Sequence, residues 1–216
     1  ELAFIAVSKD AGEILESVVI NASGRLEMIM DVTNDEEMMV RVPCGTYYGK
    51  SDELLIVGGH HDKVYHAPGA VDDTSGTATV LEMATMFSEY VSENGEPDRT
   101  VRFCTWGGEE EGLWGSTSYV ADKNQALAEN LRLYVNLDMN HVDFDLEERG
   151  NSVTLFTNHP DDYEHIEALT EEYKEDNPEM AKKYVINLGL YDGELGEPNG
   201  MPCNSCLLYT SPSPRD

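Results

Sequence analysis

The amino-acid sequence predicts an α/β fold: a three-layer sandwich with a mainly parallel central sheet flanked by helices. Two observations carry this. Short apolar runs of strand character alternate along the chain with segments of helical periodicity. In addition, ELLIVGG at residues 53–59 is a nearly continuous apolar run, the pattern of a strand covered on both faces inside a parallel sheet.

In order, AFIAVSKDAGEILESVVI (3–20) reads as a short strand and a helix. RLEMIMDV (25–32) and EMMVRV (37–42) alternate as strands on either side of TNDE. After ELLIVGG, a helix is expected from Thr77 to Val91, with Val80, Met83, Ala84, Phe87 and Val91 on one face, closed by the turn residues of SENGEPDR. TVRFCTW (100–106) is the next strand, GLWGSTSYVADK enters a helix after GGEEE, and LRLYVNLDM and SVTLFT are further strands. A helix over 162–174 is expected to turn Tyr163, Ile166, Leu169 and Tyr173 inward. No internal repeat is evident.

The chain has 216 residues, enough for one sizeable core, with 40% hydrophobic residues and 18 glycines, as in ordinary globular proteins. Its 42 acidic residues against 14 Lys plus Arg give a formal charge of −28, which repels nucleic acid and anionic membranes and argues against both as partners. Solubility and adaptation to salty surroundings are the two readings of that surface. No run has the apolar length of a membrane span. The cysteines are Cys44, Cys104, Cys203 and Cys206; Cys104 falls within a strand, where a buried thiol is expected.

The chemistry collects at strand ends. In a parallel α/β sheet the site lies beyond the carboxyl ends of the strands. HHD follows ELLIVGG, EEE follows TVRFCTW, and Asp138 ends LRLYVNLD. Carboxylates crowded in this way repel one another, and a bound cation is the usual remedy. Imidazole and carboxylate without thiolate suit a catalytic zinc, and also manganese or cobalt. Two such ions need a bridging carboxylate, which an Asp between the first strand and its helix can supply. A His followed two residues later by Asp places the carboxylate where it can accept the ring N–H and set the tautomer. A calcium loop is excluded, because DKVYHAPG lacks alternating oxygen ligands.

GGHHD, PGAVDDTSG, WGGEEEGLWGS and NLDM resemble the four successive motifs of the dinuclear zinc exopeptidases of the bacterial leucyl aminopeptidase type, whose relatives include glutamate carboxypeptidases and glutaminyl cyclases. The resemblance runs from Val40 to Pro202. It implies two Zn2+ ions, with His60 and Asp138 as ligands of one, Glu110 as ligand of the other and Asp72 bridging both. It makes Glu109 the general base and Asp62 the partner of the His60 ring, and it implies a cis Asp72–Asp73 peptide. Glu111 and His66 are then solvated, His61 part of a wall, His141 near the site, and His159 and His165 structural.

The activity implied is that of an aminopeptidase acting on a peptide with a free N-terminus. The alternatives are a carboxypeptidase or dipeptidase of the glutamate carboxypeptidase type, and a non-catalytic receptor-like relative. Secretion or a cell-envelope location follows from the same resemblance.

The family's last His ligand comes shortly after a GxP motif. DGELGEPNGMP (192–202) resembles the approach to it, with no His behind it, so this ligand is expected to lie outside the chain and the second ion to bind weakly, leaving the chain weakly active or inactive. AFIAVSKDAGEIL resembles the end of a protease-associated domain, and CLLYTSPSPRD resembles translated sequencing-library adapter. The expected organisation is therefore 1–24 as the end of an insert, 25–205 as an incomplete catalytic domain and 206–216 as a non-native tail.

Overall fold

Alternation along the strands builds the layers. The computed structural model describes residues 7–21, 24, 25, 27, 29, 31, 39–140, 152–157, 160–183 and 185–190. Strand β2 (Ser51–His60) lies at the centre, paired in parallel with β3 (Arg99–Trp106) on one side and β4 (Leu131–Asn136) on the other. The short strand β1 (Cys44–Tyr47) runs antiparallel along β3, giving the order β1-β3-β2-β4. This is the mixed, mostly parallel sheet that the apolar run at 53–59 predicts.

Successive side chains of a strand face opposite ways, so each strand feeds two cores. Leu54, Ile56, Cys104, Trp106 and Tyr134 pack on one face with Leu127, Tyr119 and Val120 of α3 (Trp114–Asn130). Leu55, Val57, Val101, Phe103 and Val135 pack on the other with Val80, Met83, Ala84 and Phe87 of α2 (Thr74–Asn94). Four of the five residues expected on the inward face of that helix pack here; Val91 does not belong to this cluster. An open apolar groove beside α2, lined by residues such as Met86, Tyr90 and Leu133, lies on this second face and shares no residue with the carboxylate cluster described below.

The connection β2–α2–β3 steps to one side of β2, and β3–α3–β4 steps back across it. Crossovers of one hand then put α2 and α3 on opposite faces and open a crevice where the carboxyl ends of β2 and β3 lie side by side.

Four expectations need correction. No strand covers the described part of EMMVRV, residues 39–42; the ladder begins at Cys44. Pro43 accepts from Thr105 N–H at 3.0 Å but has no N–H to return, and the pairing stops there. Cys104 is buried but not a thiol: it is disulfide-bonded to Cys44, its direct partner in the β1–β3 ladder. Facing residues of an antiparallel pair bring their Cβ atoms within bridging range, a proximity that no single strand pattern reveals.

In α4 (Pro160–Asp176), Leu169 and Tyr173 are exposed and Thr170 is buried. The helix packs on β5 (Ser152–Thr157) and β6 (Val185–Leu190), a separate two-stranded parallel sheet. Helix α5 (Pro178–Lys183) and β6 have no counterpart among the expected elements.

The chain divides into two units, 1–38 and 39–216. In the first, α1 (Lys9–Ile20) starts at Ser8, whose hydroxyl accepts from Ala11 N–H. All of AFIAV but Val7, half of RLEMIMDV, His141, His159 and everything from residue 191 onward lie outside the described residues. Among the described residues no helix is long and apolar enough to cross a membrane.

Candidate metal centre

The crevice is lined by four segments: the chain at the ends of β2, β3 and β4, and the Asp72–Asp73 pair that leads into α2. His60 is the last residue of β2 and is buried. The strand reaches this point unobstructed because Gly58 and Gly59 carry no side chains: a Cβ on Gly58 would meet the Trp106 indole nitrogen at 2.5 Å, and one on Gly59 the Leu137 carbonyl oxygen at 2.7 Å. Beyond β3, the chain turns sharply through Gly108 and Gly112, both at positive φ, with Gly112 N–H and Leu113 N–H donating to the Glu109 carbonyl. That turn aims Glu109 and Glu110 back at His60.

Around the His60 Nε2 atom, Asp72 Oδ1 lies at 2.9 Å, and Glu109 Oε2 and Asp138 Oδ1 each at 4.0 Å. Ligand atoms of His60, Asp72 and Glu110 all lie within 4.8 Å of one another, as do those of His60, Asp73 and Asp138. The structure thus brings together His60, Asp72, Glu109, Glu110 and Asp138 from stretches separated by up to 78 residues in sequence (60 to 138). The Asp72–Asp73 peptide is cis, as the sequence resemblance implies.

Asp62 meets the His60 ring with its main chain, where the sequence reading expects its carboxylate to accept the ring N–H. The nearest acceptor for His60 Nδ1 is the main-chain oxygen of Asp62 at 3.2 Å, with its carboxylate Oδ1 at 3.6 Å. The other carboxylate oxygen accepts from Glu110 N–H at 3.1 Å. One residue therefore orients the imidazole and also holds the turn that carries the glutamates. Glu110 in turn accepts from Val64 N–H at 3.0 Å, tying the loop after β2 to the loop after β3.

The remaining candidates stand apart from the cluster. His61 turns its Nδ1 to the Thr105 hydroxyl, and His66 packs edge-on against the exposed Tyr65 ring. Glu111 uses its main-chain oxygen to accept from the Trp114 indole, and His165 lies on the exposed part of α4.

The electrostatics mark the cluster as a cation site. Burial pushes the Glu109 carboxyl up to about 7, with Glu110, Asp138 and Asp62 adding to the rise and His60 opposing it. Asp138 is raised by burial and by the charges of Asp72 and Glu110. Burial pushes Asp73 up to about 6 against the backbone N–H bonds it accepts from Met139 and Gly76. Burial disfavours protonated His60, but the surrounding Glu109, Asp73, Asp138 and Asp62 outweigh it and hold the imidazole above its ordinary value.

Buried oxygens Asp62 Oδ1 and Glu109 Oε1 have no hydrogen-bond partner. Crowded carboxylates with orphaned oxygens around one imidazole are the donor set of a divalent cation, so the residues present fit a metal.

The family model described as peptidase family M28 matches residues 44–191. An aminopeptidase of Pseudomonas aeruginosa is 35% identical over 115 residues, 53% of this chain and 20% of that protein. A probable leucine aminopeptidase 2 of Aspergillus oryzae is 31% identical over 137 residues, 63% of this chain and 27% of its own length. This chain therefore spans about a quarter or less of the curated relatives quoted. The crystal structure of LapA from Legionella pneumophila shares the fold, with a TM-score of 0.51 at 21% identity over 74% of this chain and 38% of that one. With the family's pattern matched across most of the described residues and this cluster at the ends of its strands, the chain belongs to peptidase family M28.

Proposed function

We propose that this chain carries the catalytic machinery of a metal-dependent exopeptidase, an aminopeptidase that hydrolyses the first peptide bond of a substrate with a free N-terminus. The observation that carries the reading is the set of four carboxylates, Asp72, Glu109, Glu110 and Asp138, converging on one buried imidazole. The names of the Pseudomonas and Aspergillus relatives support the choice of aminopeptidase.

His60, Asp72, Glu110 and Asp138 would hold the metal. Two zinc ions, with manganese or cobalt as substitutes, would supply Lewis acidity toward the scissile carbonyl and toward water. The work of the chain's own groups is to place and move protons. Glu109 is 6% exposed, and its Oε1 is buried without a partner. Buried beside the ligand candidates with one oxygen unpartnered, it is placed to accept a proton from attacking water and to hand it to the departing amine. Asp62 holds the His60 ring through Nδ1, leaving Nε2 free to face the carboxylates. The Cys44–Cys104 bridge supports an oxidising compartment, secreted or in the cell envelope.

The test pairs the unaltered chain with Glu109→Gln, measuring bound metal and the hydrolysis of aminoacyl anilides and acylated dipeptides. The expected result is weak cleavage of the anilides alone, lost altogether in Glu109→Gln with metal content unchanged. Loss of metal in Glu109→Gln makes the residue a ligand instead, and preference for acylated dipeptides makes the enzyme a carboxypeptidase or dipeptidase.

A further inference from the structure

Asp73 lies beside Asp72, and by distance it belongs to a second set of possible ligands with His60 and Asp138. Its hydrogen bonds assign it different work. Oδ2 accepts from His60 N–H at 3.1 Å, while Oδ1 accepts from Gly76 N–H at 2.9 Å and Met139 N–H at 3.1 Å. The residue is fully buried, and three of the roughly four acceptor positions of a carboxylate are spent on backbone.

Each donor comes from a different segment: His60 from the end of β2, Gly76 from the first turn of α2, and Met139 from the chain just past β4. The first and third stand at or next to the metal-ligand candidates His60 and Asp138, and Asp73 itself adjoins Asp72.

The space for this carboxylate exists only because two neighbours lack side chains. A Cβ on Gly59 would lie 3.0 Å from Oδ2, and a Cβ on Gly76 would lie 2.4 Å from both oxygens. Two further ties close the same junction. Thr77 donates its hydroxyl to the His60 carbonyl at 2.6 Å, and Leu137 N–H donates to the Gly58 carbonyl at 2.8 Å.

We propose that Asp73 is the positioning residue of this centre: one buried carboxylate that pins three backbone segments and thereby sets the spacing of His60, Asp72 and Asp138, without ligating metal itself. The inference rests on the metal-dependent reading above. It assigns the two adjacent aspartates separate roles, Asp72 toward metal and Asp73 toward backbone.

Asparagine keeps the size of Asp73 but replaces one acceptor oxygen with a donor. In either orientation an amide N–H then faces a backbone N–H, and at least one bond is lost. The test is zinc titration of the full chain against a competing chelator, with thermal unfolding of the metal-free protein in parallel, for Asp73→Asn and for Val80→Ala. Val80 is buried in the α2 core among Val57, Val101 and Phe103, so its truncation lowers stability and leaves the brace intact.

Asp73→Asn is expected to bind the same number of zinc ions as the unaltered chain but about 10- to 100-fold more weakly, the usual effect of a partner that orients ligands. Val80→Ala is expected to keep the unaltered affinity whatever its loss of thermal stability. Unchanged affinity in Asp73→Asn overturns the proposal. So does loss of one ion outright, which makes Asp73 a ligand, and so does an equal weakening in Val80→Ala, which reduces the effect to general stability. An unaltered chain that takes up no zinc overturns the metal reading itself, a result distinct from these three.

Discussion

Replacing Gly76 with alanine sets two physical effects against each other. In a helix, alanine is favoured over glycine by about 0.5–1 kcal/mol, because glycine loses more backbone freedom on folding. At this position, however, the new Cβ would lie 2.4 Å from each of the Asp73 oxygens and 2.4 Å from the Leu137 carbonyl oxygen. None of the three can move cheaply, since the carboxylate is held by three backbone N–H groups and the carbonyl belongs to the chain leaving β4.

Overpacking of this kind costs about 1–3 kcal/mol, and immovable oxygens place Gly76→Ala toward the upper end. The net loss is then about 2 kcal/mol after the helix gain, a fall in Tm of roughly 4–8 °C for a chain of this size. Thermal unfolding followed by circular dichroism, with chelator present so that metal binding does not contribute, reads the effect directly. Gly12→Ala in α1 is the matched control: its Cβ would find only Val7 Cγ2, at 4.0 Å, and the helix term should stand alone as a small gain. An unchanged or raised Tm in Gly76→Ala would refute the picture of a packed junction.

In the metal-free chain, Glu109 titrates near 7 instead of its ordinary 4.5, and His60 above 6.5. The folded form thus holds protons that the unfolded form has released. The stability tied to Glu109 is present at low pH and lost as pH rises from about 4.5 through 7, and that tied to His60 is lost from 6.5 upward. Denaturant titrations should show the metal-free chain weakening over that window, and added zinc restoring more stability at pH 8 than at pH 5 with release of protons. Tyr134→Phe removes a hydroxyl that accepts from the Trp106 indole at 2.9 Å and donates to Asn136 at 2.6 Å. A loss of about 1–3 kcal/mol is expected in urea unfolding.

Much of the architecture is legible in residue order because the layers are periodic. The run at 53–59 announces a strand covered on both faces, and Val80, Met83, Ala84 and Phe87 announce the helix face that covers it. Those patterns depend on a segment's own spacing. The features that escape depend on a distant partner. Strand β1 has four residues, too few for a period, and exists because β3 offers it a ladder. The disulfide depends on Cys44 and Cys104 falling opposite each other in that ladder. The inward face of α4, with Thr170 buried and Leu169 exposed, depends on where β5 and β6 lie against it.

The chemistry divides along the same line. By itself, the sequence determined the residue types and their places at successive strand ends, because strand, loop and helix signals are local and a parallel sheet sends its loops to one edge. Only the tertiary structure decided that Asp72 Oδ1 and His60 Nε2 lie 2.9 Å apart, that Asp62 ties an imidazole to the glutamate turn, and that Asp73 turns both its oxygens to backbone. Two adjacent aspartates are equivalent in sequence. Burial and the direction of three N–H groups, set by segments far apart along the chain, make them different.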